Sequence, residues 1–224
     1  SYEGRMRILV PRQFPAVVSD TEAYADALAR LLTELHLALR RNGLVLFTSY
    51  DLLQRVRERL VGAVPLLAQG VDGPRTSLVE RFRRGKEGML LLGADSFWEG
   101  VDLPGEELEY LVVTRLPFAV PTDPVFAALS ERYERTGREP FYELALPQAA
   151  LRLRQGIGRL IRTRRDRGVV VVTDDRIRTK GYGKRFTEAL PVPLEEAASA
   201  ADAVRLARTW FEELERQEGS PPAH

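Results

Sequence analysis

The sequence predicts an α/β fold: a doubly wound parallel sheet with helices on both faces, in a three-layer sandwich. Three observations predict it. Leu44–Phe47, Met89–Leu92 and Gly168–Thr173 are short runs of near-continuous apolar character, the pattern of parallel strands buried on both faces. Segments with helical periodicity separate these runs at the spacing of strand–helix units. The residues just beyond the runs are small or polar, namely Thr48-Ser49, Gly93-Ala-Asp-Ser96, Thr114-Arg115 and Thr173-Asp-Asp175. In such sheets ligands bind beyond the carboxyl ends of the strands.

The elements follow in order. Residues 5–10 alternate and read as a strand stopped by Pro11. Residues 21–41 form an amphipathic helix, with Asp20 as N-cap and Gly43 as the C-terminal stop. Residues 44–48 are a strand, and Ser49 caps a helix over about 50–60. A short strand is expected at 64–68, then a helix from Thr76 or Ser77 to near Gly85. Strands at 89–92, 108–114 and 168–173 follow, with helices near 123–136 and 147–163 between the last two. A final helix covers about 201–217. Residues 1–218 read as a single domain and 219–224 as a disordered tail.

Composition sets limits. The chain has 224 residues and a net charge of +1, so no global attraction to nucleic acid is expected. All but Lys86, Lys180 and Lys184 of its 33 basic residues are arginine, so position rather than abundance must carry any argument about phosphate. With no cysteine and only His36 and His224, thiolate metal sites, cysteine-ligated iron–sulfur clusters and zinc sites are not expected in this chain. His36 reads as a boundary residue of its helix. No apolar run approaches the roughly 18 residues of a membrane span, so no membrane contact and a cytoplasmic location are expected. The opening Ser1-Tyr-Glu-Gly4 reads as a cut from something longer.

Position points to residues 152–167, which hold seven arginines and one aspartate. On a helix at about 100° per residue, Arg152, Gln155, Arg159 and Arg162 share one face and Leu153, Ile157 and Leu160 the other. Gly156 and Gly158 interrupt this helix at a cost of about 1 kcal/mol each relative to alanine, which implies a close approach to the backbone. Aligned arginines suit a phosphate-bearing partner. The same pattern also describes a solvated basic helix face. No Walker A motif accompanies it: Gly181-Tyr-Gly-Lys184 has the wrong spacing, and Arg185 stands where a hydroxyl residue would be needed. No Asp-Glu pair follows a buried strand. An arginine-finger domain acting in trans on a nucleotide held elsewhere reconciles these facts.

The second informative segment is Gly93-Ala-Asp-Ser-Phe-Trp-Glu-Gly-Val-Asp-Leu-Pro-Gly105. Its Ser96–Asp102 resembles motif V of superfamily 2 helicases of the DinG/XPD group, in the wording of the bacterial DinG branch. Gln155-Gly-Ile-Gly-Arg-Leu-Ile-Arg162 resembles motif VI, and Leu44-Val-Leu-Phe-Thr-Ser-Tyr50 resembles motif IV. Gln69-Gly70, Leu116-Pro-Phe118 with Pro121-Thr-Asp-Pro124, and Thr173-Asp-Asp-Arg176 support the match, in family order over about residues 5–190.

The resemblance implies a second, C-terminal RecA-like motor domain of an ATP-dependent 5′→3′ DNA helicase acting in DNA repair or replication. It implies ATP and Mg²⁺ held mainly by a first helicase domain of the same polypeptide, with single-stranded DNA as the other partner and a monomeric state. This chain alone is then expected to be inactive. By motif, Arg162, Arg159 and Gln155 would serve the nucleotide's reaction, and Glu99, Asp102 and Gly158 would contact the nucleotide. Thr48, Ser49, Ser96, Phe97 and Trp98 would face DNA. Plainer readings stand beside these: Asp102 as a turn residue, Glu99 as a helix N-terminal acid, Ser49 as an ordinary cap, and Trp98 as core. Arg115 would reach phosphate or pair with an acid. A non-catalytic docking module is the alternative from another class.

Overall fold

The computed structural model describes the chain apart from residues 1, 3, 17, 18, 86, 87, 99–106, 121, 162–165 and 220–224. Seven strands form one sheet in the order β3-β4-β2-β5-β6-β1-β7. They are β1 (Met6–Pro11), β2 (Gly43–Phe47), β3 (Leu66–Ala68), β4 (Leu90–Ala94), β5 (Tyr110–Val113), β6 (Gly168–Val172) and β7 (Leu194–Ala197). Every pairing is parallel, with Val45 opposite Leu92 and Val112, and Leu111 opposite Val170. All the carboxyl ends therefore lie along one edge.

The apolar strands are buried on both faces, as their lack of alternation requires. Val45, Phe47, Leu92 and Val112 face a layer made by α1 (Thr21–Leu39), α2 (Tyr50–Leu60) and α8 (Ala200–Gly219). Leu44, Leu46, Leu91 and Leu111 face the other layer. That layer holds α3 (Arg75–Arg83), α5 (Leu146–Ile157), α6 (Arg176–Thr179) and α7 (Gly183–Ala189). Between β5 and α5 runs α4 (Pro124–Arg135), which buries none of its residues.

Local chemistry explains the helix ends. Asp20 accepts from Ala23 N at 2.9 Å and Ser49 from Leu52 N at 3.4 Å, so both expected caps are made. The stop of α1 is not Gly43. Arg40 takes the left-handed conformation, φ 50°, and closes the helix on His36 O. Gly43 instead begins β2, where the Tyr110 ring lies so close that a Cβ would sit 2.1 Å from its Cζ. The third helix starts at Arg75 behind Pro74, with no side-chain cap from Thr76 or Ser77.

Three features depart from the expected elements. The helix expected over 147–163 is preceded by a π turn at Phe141–Ala145 and ends at Ile157. Two short helices follow β6. The seventh strand, Leu-Glu-Glu-Ala, is an edge strand whose Glu195 and Glu196 pair with Arg7 and Arg12. Part of the tail expected at 219–224 lies outside the described residues, and Gly219 closes α8.

Candidate functional site

Beyond β4 the chain makes a single 3₁₀ turn, Asp95–Phe97, that drives two aromatic rings inward. Phe97 is fully buried, and Gly93 makes room for it: a Cβ there would lie 2.4 Å from the ring. Trp98 is 1% exposed. Its indole N–H donates to Phe47 O at 2.7 Å, the last carbonyl of β2. The indole lies against α5 at Gly156, where a Cβ would meet two ring carbons at 3.2 Å. The Arg152 guanidinium sits 5.6 Å from the ring centroid.

Arg159 completes this node from the other side. Its two terminal nitrogens donate to the main-chain carbonyls of Phe97 and Trp98, and it is only 6% exposed. It was expected on the outward face of a helix. That expectation held the helical rotation constant to residue 163, but α5 ends at Ile157, and Gly158 turns the chain inward with its N–H on Arg154 O at 2.9 Å. The close approach implied by Gly156 is real, and what approaches is Trp98 of the same chain.

The remaining motif residues divide. Gln155 is exposed in the last turn of α5, and Gly158 is half-buried. Arg162, Glu99 and Asp102 lie outside the described residues. Phe97 and Trp98 were expected to face DNA; both are core residues, because the turn after β4 folds them under α5. Ser96 is exposed and accepts from Gln69 Nε2 at 3.1 Å, while Gln69 Oε1 accepts from Ala94 N at 2.7 Å. Ser49 is a cap. Thr48, half-buried, opens onto the main cleft.

That cleft encloses about 720 Å³ beyond the ends of β2 and β5. Thr48, Arg115 and Arg176 line it, with an aromatic wall of Phe118, Phe126, Phe141 and Tyr182. The Phe118 and Phe141 rings stack with centroids 5.7 Å apart, and Tyr182 meets both edge-on. Phe141 and Tyr142 stay 38% and 62% exposed. Arg176 is held by Asp174 through Nε at 2.9 Å and Nη2 at 2.6 Å, and Asp174 also accepts from Leu116 N at 2.8 Å. Arg115, half-buried, forms no ion pair among the described residues, so it is the available cation of the cleft. Glu134 and Glu139 also line the cleft.

Residues 32–192 match the family model described as the helicase C-terminal domain. The chain belongs to this family. Among its relatives is the 3′-5′ exonuclease DinG of Bacillus subtilis, 37% identical over 85% of this chain and 21% of that protein. Another is the ATP-dependent DNA helicase DinG of Photobacterium profundum, 36% identical over 85% of this chain and 28% of that protein. The chain thus spans about a quarter of the length of these relatives. An apo XPD structure shares the fold at a TM-score of 0.67 and 19% identity, covering 86% of this chain and 40% of that one. The C-terminal domain of the DEAD-box protein Dbp5 does so at 0.56 and 14%, covering 93% and 99%. The sheet is the RecA-like fold, and the DinG/XPD resemblance of motifs IV, V and VI agrees with the match.

The helicase C-terminal domain carries no phosphate cradle at Gly181–Lys184. Gly183 opens a seven-residue helix after another helix, and a Cβ there would lie 2.2 Å from Ile177 O. That glycine serves helix packing, and the donor set does not fit a self-contained ATP site. Among the described residues no cluster of three metal-ligating side chains occurs, and no helix is long and apolar enough to cross a membrane. Phe141, Tyr182 and Arg115 were not singled out as a joint site from sequence. The available signal lay in Leu116-Pro-Phe118 and Thr173-Asp-Asp-Arg176, whose ends meet in the cleft.

Proposed function

We propose that the chain is the second motor domain of an ATP-dependent 5′→3′ DNA helicase of the DinG/XPD type. In this reading ATP and Mg²⁺ are held mainly by a first motor domain of the same polypeptide. Arg162 serves as the finger toward the nucleotide across the domain interface, Gln155 assists it, and Glu99, Asp102 and Gly158 contact the nucleotide. Arg159, its guanidinium committed to two main-chain carbonyls, braces the turn after β4.

The observation that carries the reading is the cleft at the carboxyl edge of the sheet. An arginine with no ion pair among the described residues, a threonine hydroxyl and an aromatic wall on which Phe141 is exposed are what a sequence-blind grip on a single strand requires: charge for the backbone, a π-face for any base. Glu134 and Glu139 repel phosphate, so the backbone is expected on the Arg115 side and a base against Phe141. Thr48, Ser49 and Ser96 extend the polar track along the strand ends.

The direct test is titration of a fluorescein-labelled oligo-dT with the purified chain. Binding that weakens steeply with salt, by a log–log slope of about −0.7 per phosphate contact, is expected. Absence of binding at low salt overturns the reading. A second reading is favoured by the name of the Bacillus subtilis relative: the domain as a non-catalytic nucleic-acid module beside a nuclease. It predicts binding to oligo-dT with no ATP hydrolysis in the whole protein.

A further inference from the structure

We infer that Trp98 is a positioning residue that couples α5 and the adjoining Arg159 to the DNA-facing end of β2. The inference rests on the helicase reading above. Three contacts converge on this one side chain, and a fourth holds its main chain. Its N–H is bonded to Phe47 O at 2.7 Å, immediately before Thr48 at the mouth of the cleft. Its ring is in contact with the α5 backbone at Gly156. The Arg152 guanidinium lies over the ring. Its own carbonyl, with that of Phe97, is held by Arg159.

A residue present only to fill the core would need no such donor, and a phenylalanine would pack without one. An indole has one donor, and here it satisfies a strand-end carbonyl buried beneath α5. A rigid ring with two soft torsions, packed at interior density, passes a displacement on rather than absorbing it. Movement of α5 and Arg159, three residues before Arg162, therefore shifts the end of β2, and with it Thr48. Gly156 is the counterpart of the same device. A Cβ there would press on the ring at 3.2 Å.

The test is made in the whole helicase. Trp98→Phe keeps a ring but removes the N–H. The ratio of single-strand-stimulated to basal ATP hydrolysis should fall about tenfold, while basal hydrolysis and the Kd for oligo-dT stay within about twofold. An unchanged ratio overturns the inference, and so does a parallel loss of all three quantities, which marks a merely structural role. If Trp98→Phe does not fold, Gly156→Ala decides. It retains the N–H but displaces the ring by a few tenths of an ångström, and an unchanged ratio again overturns the inference. Absence of any stimulation in the unsubstituted protein overturns the helicase reading and the inference together.

Discussion

The phenol oxygen of Tyr24 lies 2.7 Å from Thr173 Oγ1 and donates to Thr114 O at 2.5 Å. A helix on one face of the sheet is thereby tied to the ends of β5 and β6, the strands that position Arg115 and Asp174. Tyr24 is fully buried, and burial pushes its phenol well above the usual range, so it stays a neutral donor. Tyr24→Phe removes both bonds, while Thr173 Oγ1 still reaches Thr114 O at 3.3 Å, and should cost about 1 kcal/mol, measured by urea unfolding. A change below about 0.5 kcal/mol would show that the tie contributes nothing.

Gly43→Ala tests the close packing of β2 on Tyr110. The added Cβ would overlap the ring at 2.1 Å. A loss of about 3 kcal/mol is expected, with much of it recovered in the double variant with Tyr110→Leu. Additive losses in the double-mutant cycle would contradict the contact.

Arg115→Ala should weaken oligo-dT binding about tenfold and flatten its salt dependence, while the melting temperature holds, because Arg115 forms no ion pair among the described residues. Unaltered affinity would move the DNA contact away from the cleft.

His36 gives a pH dependence with a defined sign. It is buried in α1, its Nδ1 has no hydrogen-bond partner among the described residues, and burial together with the Arg40 charge lowers its pKa. The unfolded chain therefore takes up the proton first as pH falls. Stability contributed by neutral His36 is full above the ordinary value of 6.5 and declines as pH drops below it toward the lowered folded value. The stability of the protein relative to His36→Leu should fall as pH is lowered from about 7 to 5. A difference independent of pH would contradict the assignment.

Much of the sheet was legible in the residues. Leu44–Phe47, Met89–Leu92 and Gly168–Thr173 read as strands covered on both sides, and their polar ends lie along one edge of the sheet. The strand Leu194–Ala197 was not legible, because an edge strand held by Glu–Arg pairs carries no apolar signal. The face of Arg159 was misread for a geometric reason: helical spacing assigns faces only while the helix continues, and this one stops at Ile157. Phe97 and Trp98 sit among polar motif residues, yet the turn after β4 sends both inward. The cleft unites Thr48, Arg115, Phe141 and Tyr182 from four distant segments. Only the strand order brings them together, and local pattern does not encode it.

The purified chain by itself should hydrolyse no ATP, since Gly181–Lys184 does not form a phosphate cradle. DNA-dependent turnover by residues 1–224 would contradict that expectation.

The central claim is that motif VI supplies a finger to a nucleotide held by another domain. Its most direct test is Arg162→Ala in the whole helicase, with ATP hydrolysis and oligo-dT binding measured on the same preparation. The account predicts a loss of hydrolysis of about 10³-fold or more, with the Kd for DNA within about twofold. Hydrolysis and DNA binding lost to the same degree would contradict it and make Arg162 part of the DNA grip.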